Sequence, residues 1–105
     1  MGTLAIARRR APQERREQIL VVAVKLVRKH GLSAVTRDAV AEAAGVAQGT
    51  VNVYFGSIAG LREEVMQRAV EERDAQLLAQ GLVERHPVAM KAPESLRRKA
   101  LNTLV

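Results

Sequence analysis

Apolar positions recur at helical spacing along most of the chain. Between Gln13 and Lys29 they are Ile19, Leu20, Ala23, Leu26 and Val27, while Arg15, Arg16, Lys25 and Lys29 fall elsewhere, which predicts an amphipathic helix. Pro12 suits its first turn, and His30-Gly31 supplies a polar last turn followed by a residue free to reverse the backbone. A second helix is predicted over Arg37–Ala44. Its buried face is Val40, Ala41 and Ala44, Thr36 is the N-cap, and Gly45 is the stop. A long helix follows from Ile58 to Gln80, capped by Ser57. Leu61, Val65, Met66, Ala69, Val70 and Leu77 occupy one side, and Arg62, Glu63, Arg68, Glu71, Glu72 and Arg73 the other. Gly81 is expected to end it, with His86-Pro87 to Lys91 as a loop. A last helix opens at Pro93 and carries Leu96, Ala100 and Leu104 on one face. The predicted fold class is all-α.

One stretch breaks the pattern. Residues 47–56, AQGTVNVYFG, hold both aromatic residues of the chain, Tyr54 and Phe55, preceded by the β-branched Thr50, Val51 and Val53 with a polar Asn52 between the valines. Propensity alone makes this a strand. Placed on a helix at about 100° per residue, however, Ala47, Val51 and Phe55 share one side. The preceding spacing supports the helix. A helix-turn-helix needs a small residue where its two helices touch, a glycine in the turn four residues later, and a branched aliphatic six after that to lock the second helix down. Ala41, Gly45 and Val51 meet all three requirements, and Phe55 is the inward anchor.

Charge sharpens this picture. The chain of 105 residues carries a net charge of +6, and all of the excess lies in residues 1–62, with ten Lys/Arg against four acidic residues; residues 63–105 carry seven of each. A localised basic surface attracts polyanions, nucleic acid before anionic membrane. The alternative is a solvated tail at Arg8, Arg9 and Arg10. There is no cysteine, which suits a reducing cytoplasm, and no apolar run of membrane-spanning length. His30 and His86 lack partners at metal-ligand spacing, the serines lack a nucleophile turn, and no phosphate-binding glycine loop is present. The reading is therefore a protein without catalytic residues, metal or cofactor.

Residues 15–61 resemble the N-terminal DNA-binding domain of TetR-type transcriptional regulators. The matching segments are RREQILVVAVKLVRKHGL, VTRDAVAEAAGV and QGTVNVYFGSIAGL, in order and at the right spacing. The resemblance implies a three-helix helix-turn-helix domain, a linking helix, homodimerisation and repression at a palindromic operator in double-stranded DNA, in the bacterial cytoplasm and at the nucleoid. The expected organisation is a flexible basic arm at 1–12, the helix-turn-helix domain at 13–56, and a helical extension at 57–105 that serves dimerisation and is truncated relative to the family. Leu96, Ala100 and Leu104 are the expected dimer surface. Two departures stand out. Asn52 occupies a position where the family usually has an aromatic, and Gly56-Ser57-Ile58 replaces Pro-Ser-Lys, which removes a lysine that commonly meets a phosphate. The family's small-molecule domain is missing, so ligand-controlled induction is not carried over.

On the recognition helix, the side opposite Val51 and Phe55 presents Gly49 and Val53, flanked by Thr50 and Asn52. Gly49 allows close backbone approach, Val53 offers methyls to a thymine, and Gln48 and Asn52 are amides able to pair with adenine. Gln48, Gly49, Thr50, Asn52 and Val53 are the expected base contacts. Thr36, Arg37, Tyr54 and the arm Arg8, Arg9 and Arg10 are the expected phosphate contacts. A solvated Arg37 and a rim Tyr54 are the bland alternatives. Two other functions stay open: a plasmid- or phage-type DNA-organising or partition protein on repeated sites, and a helical protein–protein adaptor.

Overall fold

The computed structural model describes residues 11–105, and every regular element in that range is helical. The elements are α1 (Pro12–His30), a 3₁₀ turn (Leu32–Ala34), α2 (Arg37–Ala44), α3 (Gln48–Phe55), α4 (Ile58–Glu71), α5 (Ala75–Val83), α6 (Pro87–Met90) and α7 (Glu94–Asn102). The arm residues Arg8, Arg9 and Arg10 lie outside the described residues.

The first three helices start and stop where their side chains dictate. Pro12 opens α1 at its first turn. Thr36 Oγ1 accepts the Ala39 N–H and caps α2. Gly45 ends α2 in the left-handed region at φ 70° and ψ 36°, with Val46 N–H donating to the Ala41 carbonyl at 3.0 Å and Gly45 N–H to Glu42 at 3.3 Å. This pair of bonds is the Schellman motif, and it satisfies carbonyls that the helix end would otherwise orphan. Ser57 Oγ accepts the Gly60 N–H and caps α4.

The helix expected from Ile58 to Gln80 is two helices. α4 ends in a second Schellman motif with Arg73 at φ 51°: Asp74 N–H reaches the Ala69 carbonyl at 2.8 Å, and Arg73 N–H reaches Val70 at 3.1 Å. Asp74 then caps α5 by accepting the Leu77 N–H at 3.1 Å. Its carboxylate is also ion-paired to Arg28 of α1, which holds its pKa below the ordinary range. The break turns α5 back into the protein, where Leu77, Leu78 and Ala79 are all buried in succession. Gly81 does not end a helix; it lies buried inside α5 against Met66 and Ala89. Arg85 at φ 55° forms a third such stop, with His86 N–H donating to the Gly81 carbonyl at 2.8 Å. The segment expected to be a loop from His86 contains α6, whose first turn is capped by His86 Nδ1 accepting the Val88 N–H at 3.2 Å.

One continuous core joins all the helices. It contains Ile19, Ala23 and Val27 of α1, Val40 and Ala41 of α2, Val51 and Phe55 of α3, and Leu61, Val65 and Met66 of α4, and it runs on through α5 to Leu96 and Ala100 of α7. At about 1.5–3 kcal/mol for each fully buried aliphatic side chain, this core is the main stabilising term. Leu96 and Ala100 are fully buried against the protein's own helices, so of the three expected dimer-surface residues only Leu104 is exposed.

Candidate nucleic-acid interface

α3 carries the candidate interface, and its local sequence does not favour a helix. Gly49, Thr50, Val51, Asn52 and Val53 are all poor helix formers, and eight residues are too few to be stable alone. Packing holds it. Val51 is fully buried and Phe55 nearly so, one turn apart on the same side. The guanidinium of Arg16 lies 4.4 Å from the Phe55 ring centroid and is ion-paired to Glu64, so α1, α3 and α4 meet at this ring.

α4 fixes the placement of both helices of the motif. Arg62 donates through Nε and Nη2 to the Val35 carbonyl at 3.1 and 2.8 Å, holding the backbone just before the Thr36 cap. At the other end, Gly60 sits so close to α3 that a Cβ there would lie 2.4 Å from the Phe55 carbonyl oxygen. No larger residue fits without moving the exit of α3. Gln18 adds a bond from its side-chain amide to the Ala44 carbonyl at 3.3 Å, tying α1 to the end of α2. Arg16, Gln18, Gly60 and Arg62 were not among the residues singled out from sequence. Helical spacing puts Arg62 on the polar side of its helix, and its carbonyl clasp has no sequence signature.

The outer side of α3 is as expected from helical geometry. Val53 is 80% exposed, a branched apolar side chain held in water by the fold. Gly49 is open, with nothing within 4 Å of where a Cβ would stand. Thr50 and Tyr54 are partly buried on one flank, and Tyr54 packs at the core's edge. Gln48 and Asn52 lie on the other flank. Gln48 donates its amide N–H to Asp38 of α2. Asn52 is partly buried, and its Oδ1 is a buried side-chain acceptor with no partner among the described residues. Ala47 gives α3 no side-chain cap, so the first N–H groups of the helix remain open.

Charge partitions between scaffold and surface. Arg16, Arg28 and Arg68 are consumed in ion pairs with Glu64, Asp74 and Glu17, and the Arg68 guanidinium holds the Glu17 carboxyl below its ordinary range. Lys25, Lys29 and Arg37 are exposed, and none forms an ion pair with a described residue. Arg37 follows the Thr36 cap, beside the unsatisfied N–H groups of the first turn of α2. Among the described residues no group of three potential metal ligands comes together. No described helix is long and apolar enough to cross a membrane.

Residues 19–65 match the model for bacterial regulatory proteins of the tetR family. This segment is a tetR-type helix-turn-helix DNA-binding domain. The match runs from the buried part of α1 to the middle of α4, so it includes every candidate contact residue on α2 and α3. It covers less than half of the chain, and α5–α7 lie beyond it. No curated protein and no solved structure gave a match. The match supports a DNA-binding role for this segment and suggests a transcriptional regulator.

Proposed function

We propose that the protein is a cytoplasmic, nucleoid-associated repressor that binds a palindromic operator as a homodimer, with one α3 per subunit in successive major grooves. The observation that carries this reading is the outer side of α3. There Val53 and an open Gly49 face solvent, while the same helix is anchored from behind by Val51 and Phe55. That is a surface built for contact rather than for stability. Gln48, Thr50, Asn52 and Val53 contact bases and the Gly49 backbone approaches them. Thr36 donates its hydroxyl proton outward to a phosphate while its oxygen stays on Ala39, and Arg37, Tyr54 and the arm Arg8, Arg9 and Arg10 hold further phosphates. Val83, Met90, Leu101 and Leu104 are large apolar side chains left exposed in the C-terminal half, and they are the surface through which two subunits pair.

The test is the salt dependence of binding to a labelled duplex selected from random DNA. Arg8, Arg9, Arg10 and Arg37 supply four cationic contacts per subunit, so a dimer gives a log–log slope of about −7 and a lone subunit about −4. A selected sequence with two inverted half-sites and the steeper slope supports the repressor reading. Repeated direct sites indicate a partition role instead, and binding indifferent to salt removes the phosphate assignment.

A further inference from the structure

The two amides on the flank of α3 are not interchangeable, although both are able in principle to pair with the same bases. Gln48 donates from its side-chain nitrogen to Oδ1 of Asp38, one helix earlier. An ionised carboxylate only accepts, so the contact decides which end of the amide faces Asp38. The oxygen of Gln48, with the second proton of the same nitrogen, is left turned away from Asp38. Asn52 lies one turn further along the same flank, and its oxygen is buried without a partner. This sense is the less costly one: the reverse would bury an amide with two unsatisfied protons, and orphaned donors are rarer in proteins than under-satisfied carbonyls. The Asn52 nitrogen is then the end free to act.

We infer that Asp38 is a specificity-positioning residue: it turns the Gln48 oxygen toward the bases, while Asn52 is confined to donating. The inference rests on the DNA-reading role of α3 proposed above. In the major groove only adenine and cytosine present an amino donor, at N6 and N4, whereas guanine and thymine present acceptors there. Gln48 held by Asp38 therefore selects A or C on one strand at a single position of each half-site. Asn52 cannot make the two-bonded contact to adenine, because that contact needs its oxygen. It donates to N7, O6 or O4 of the neighbouring base and rejects cytosine. Asp38 touches no base. Its role is to remove the flipped state of Gln48 that would accept G or T equally well.

Selection from a random duplex pool tests this with four proteins: wild type, Gln48→Ala, Asp38→Ala, and the double variant Asp38→Ala with Gln48→Glu. Asp38 and Gln48 are both exposed and the α2 cap is Thr36, so the folded state is retained, as the helical circular dichroism signal of each variant verifies. The wild type enriches A or C over G or T at one position by about tenfold. Gln48→Ala erases the preference at that position. Asp38→Ala erases it too, with total affinity equal or higher because a carboxylate has left the neighbourhood of phosphates. The double variant restores it, since a glutamate accepts without needing to be oriented. The inference is overturned if Asp38→Ala keeps the wild-type preference at the position that Gln48→Ala loses, or if Gln48→Ala loses none. An operator enriched with an unchanged Asp38→Ala profile overturns this inference alone. A wild type that enriches no sequence overturns the DNA-reading proposal together with it.

Discussion

Replacing Phe55 by alanine should uncouple the recognition helix from the rest of the protein. The ring is 8% exposed and packs in the core behind α3. Truncating a buried phenylalanine costs about 3–5 kcal/mol. The Arg16 guanidinium, 4.4 Å from the ring centroid, adds about 0.5–1 kcal/mol that is lost with it. Global stability for a chain of this size is about 5–15 kcal/mol, so most molecules stay folded on the α1 and α4–α7 core. α3 does not, because its own residues resist helix formation and Val51 alone must then hold it. A loss of about 4 kcal/mol raises the population of the locally opened helix by roughly three orders of magnitude. The readout is native-state hydrogen exchange by NMR. The Gly56 N–H, bonded to the Asn52 carbonyl at 2.7 Å, should exchange about a hundredfold to a thousandfold faster, while buried amides of α5 and α7 change far less. Phe55→Leu should recover most of the protection, and DNA affinity should follow the same order. Equal acceleration in α3, α5 and α7, or none in α3, would refute the claim that α3 is held by this anchor.

Further outcomes follow from individual contacts. Thr36→Ala removes the acceptor for Ala39 N–H and should cost about 1 kcal/mol in urea unfolding, while Thr36→Ser should cost less than half of that. His86 accepts from Val88 N–H only when its Nδ1 is unprotonated, and burial lowers its pKa from 6.5. Its contribution to stability is thus complete above pH 6.5 and is lost as the pH falls from there through the folded value, because the unfolded chain binds the proton first. Unfolding series at stepped pH should show that slope, and His86→Asn, which keeps an acceptor but does not titrate, should flatten it. Arg85→Gly relieves a left-handed backbone that costs a non-glycine residue about 1–2 kcal/mol. Part of that gain is offset by the looser unfolded chain, so a net stabilisation of about 0.5–1 kcal/mol is expected in thermal melts.

The helix-turn-helix was legible in the order of residues alone. Periodicity located α1, α2 and the start of α4, and Thr36, Gly45 and Ser57 marked their ends, because a cap or a left-handed glycine acts within a few residues of the backbone it serves. The spacing of Ala41, Gly45 and Val51 also overruled the strand propensity of TVNVYF, which pattern alone left ambiguous. Beyond Glu71 the sequence misled. Apolar residues continued at helical spacing, and the stops at Arg73 and Arg85 use arginine where glycine would have announced them. Long-range contacts set that break, since the Arg28–Asp74 pair and the burial of Leu77, Leu78 and Ala79 offset a strained turn that no local signal records. The candidate interface divides in the same way. Which residues face outward on α3 followed from the helical period. Which end of the Gln48 amide faces Asp38 did not, because Asp38 and Gln48 lie on different helices and meet only when the turn at Gly45 brings α2 against α3.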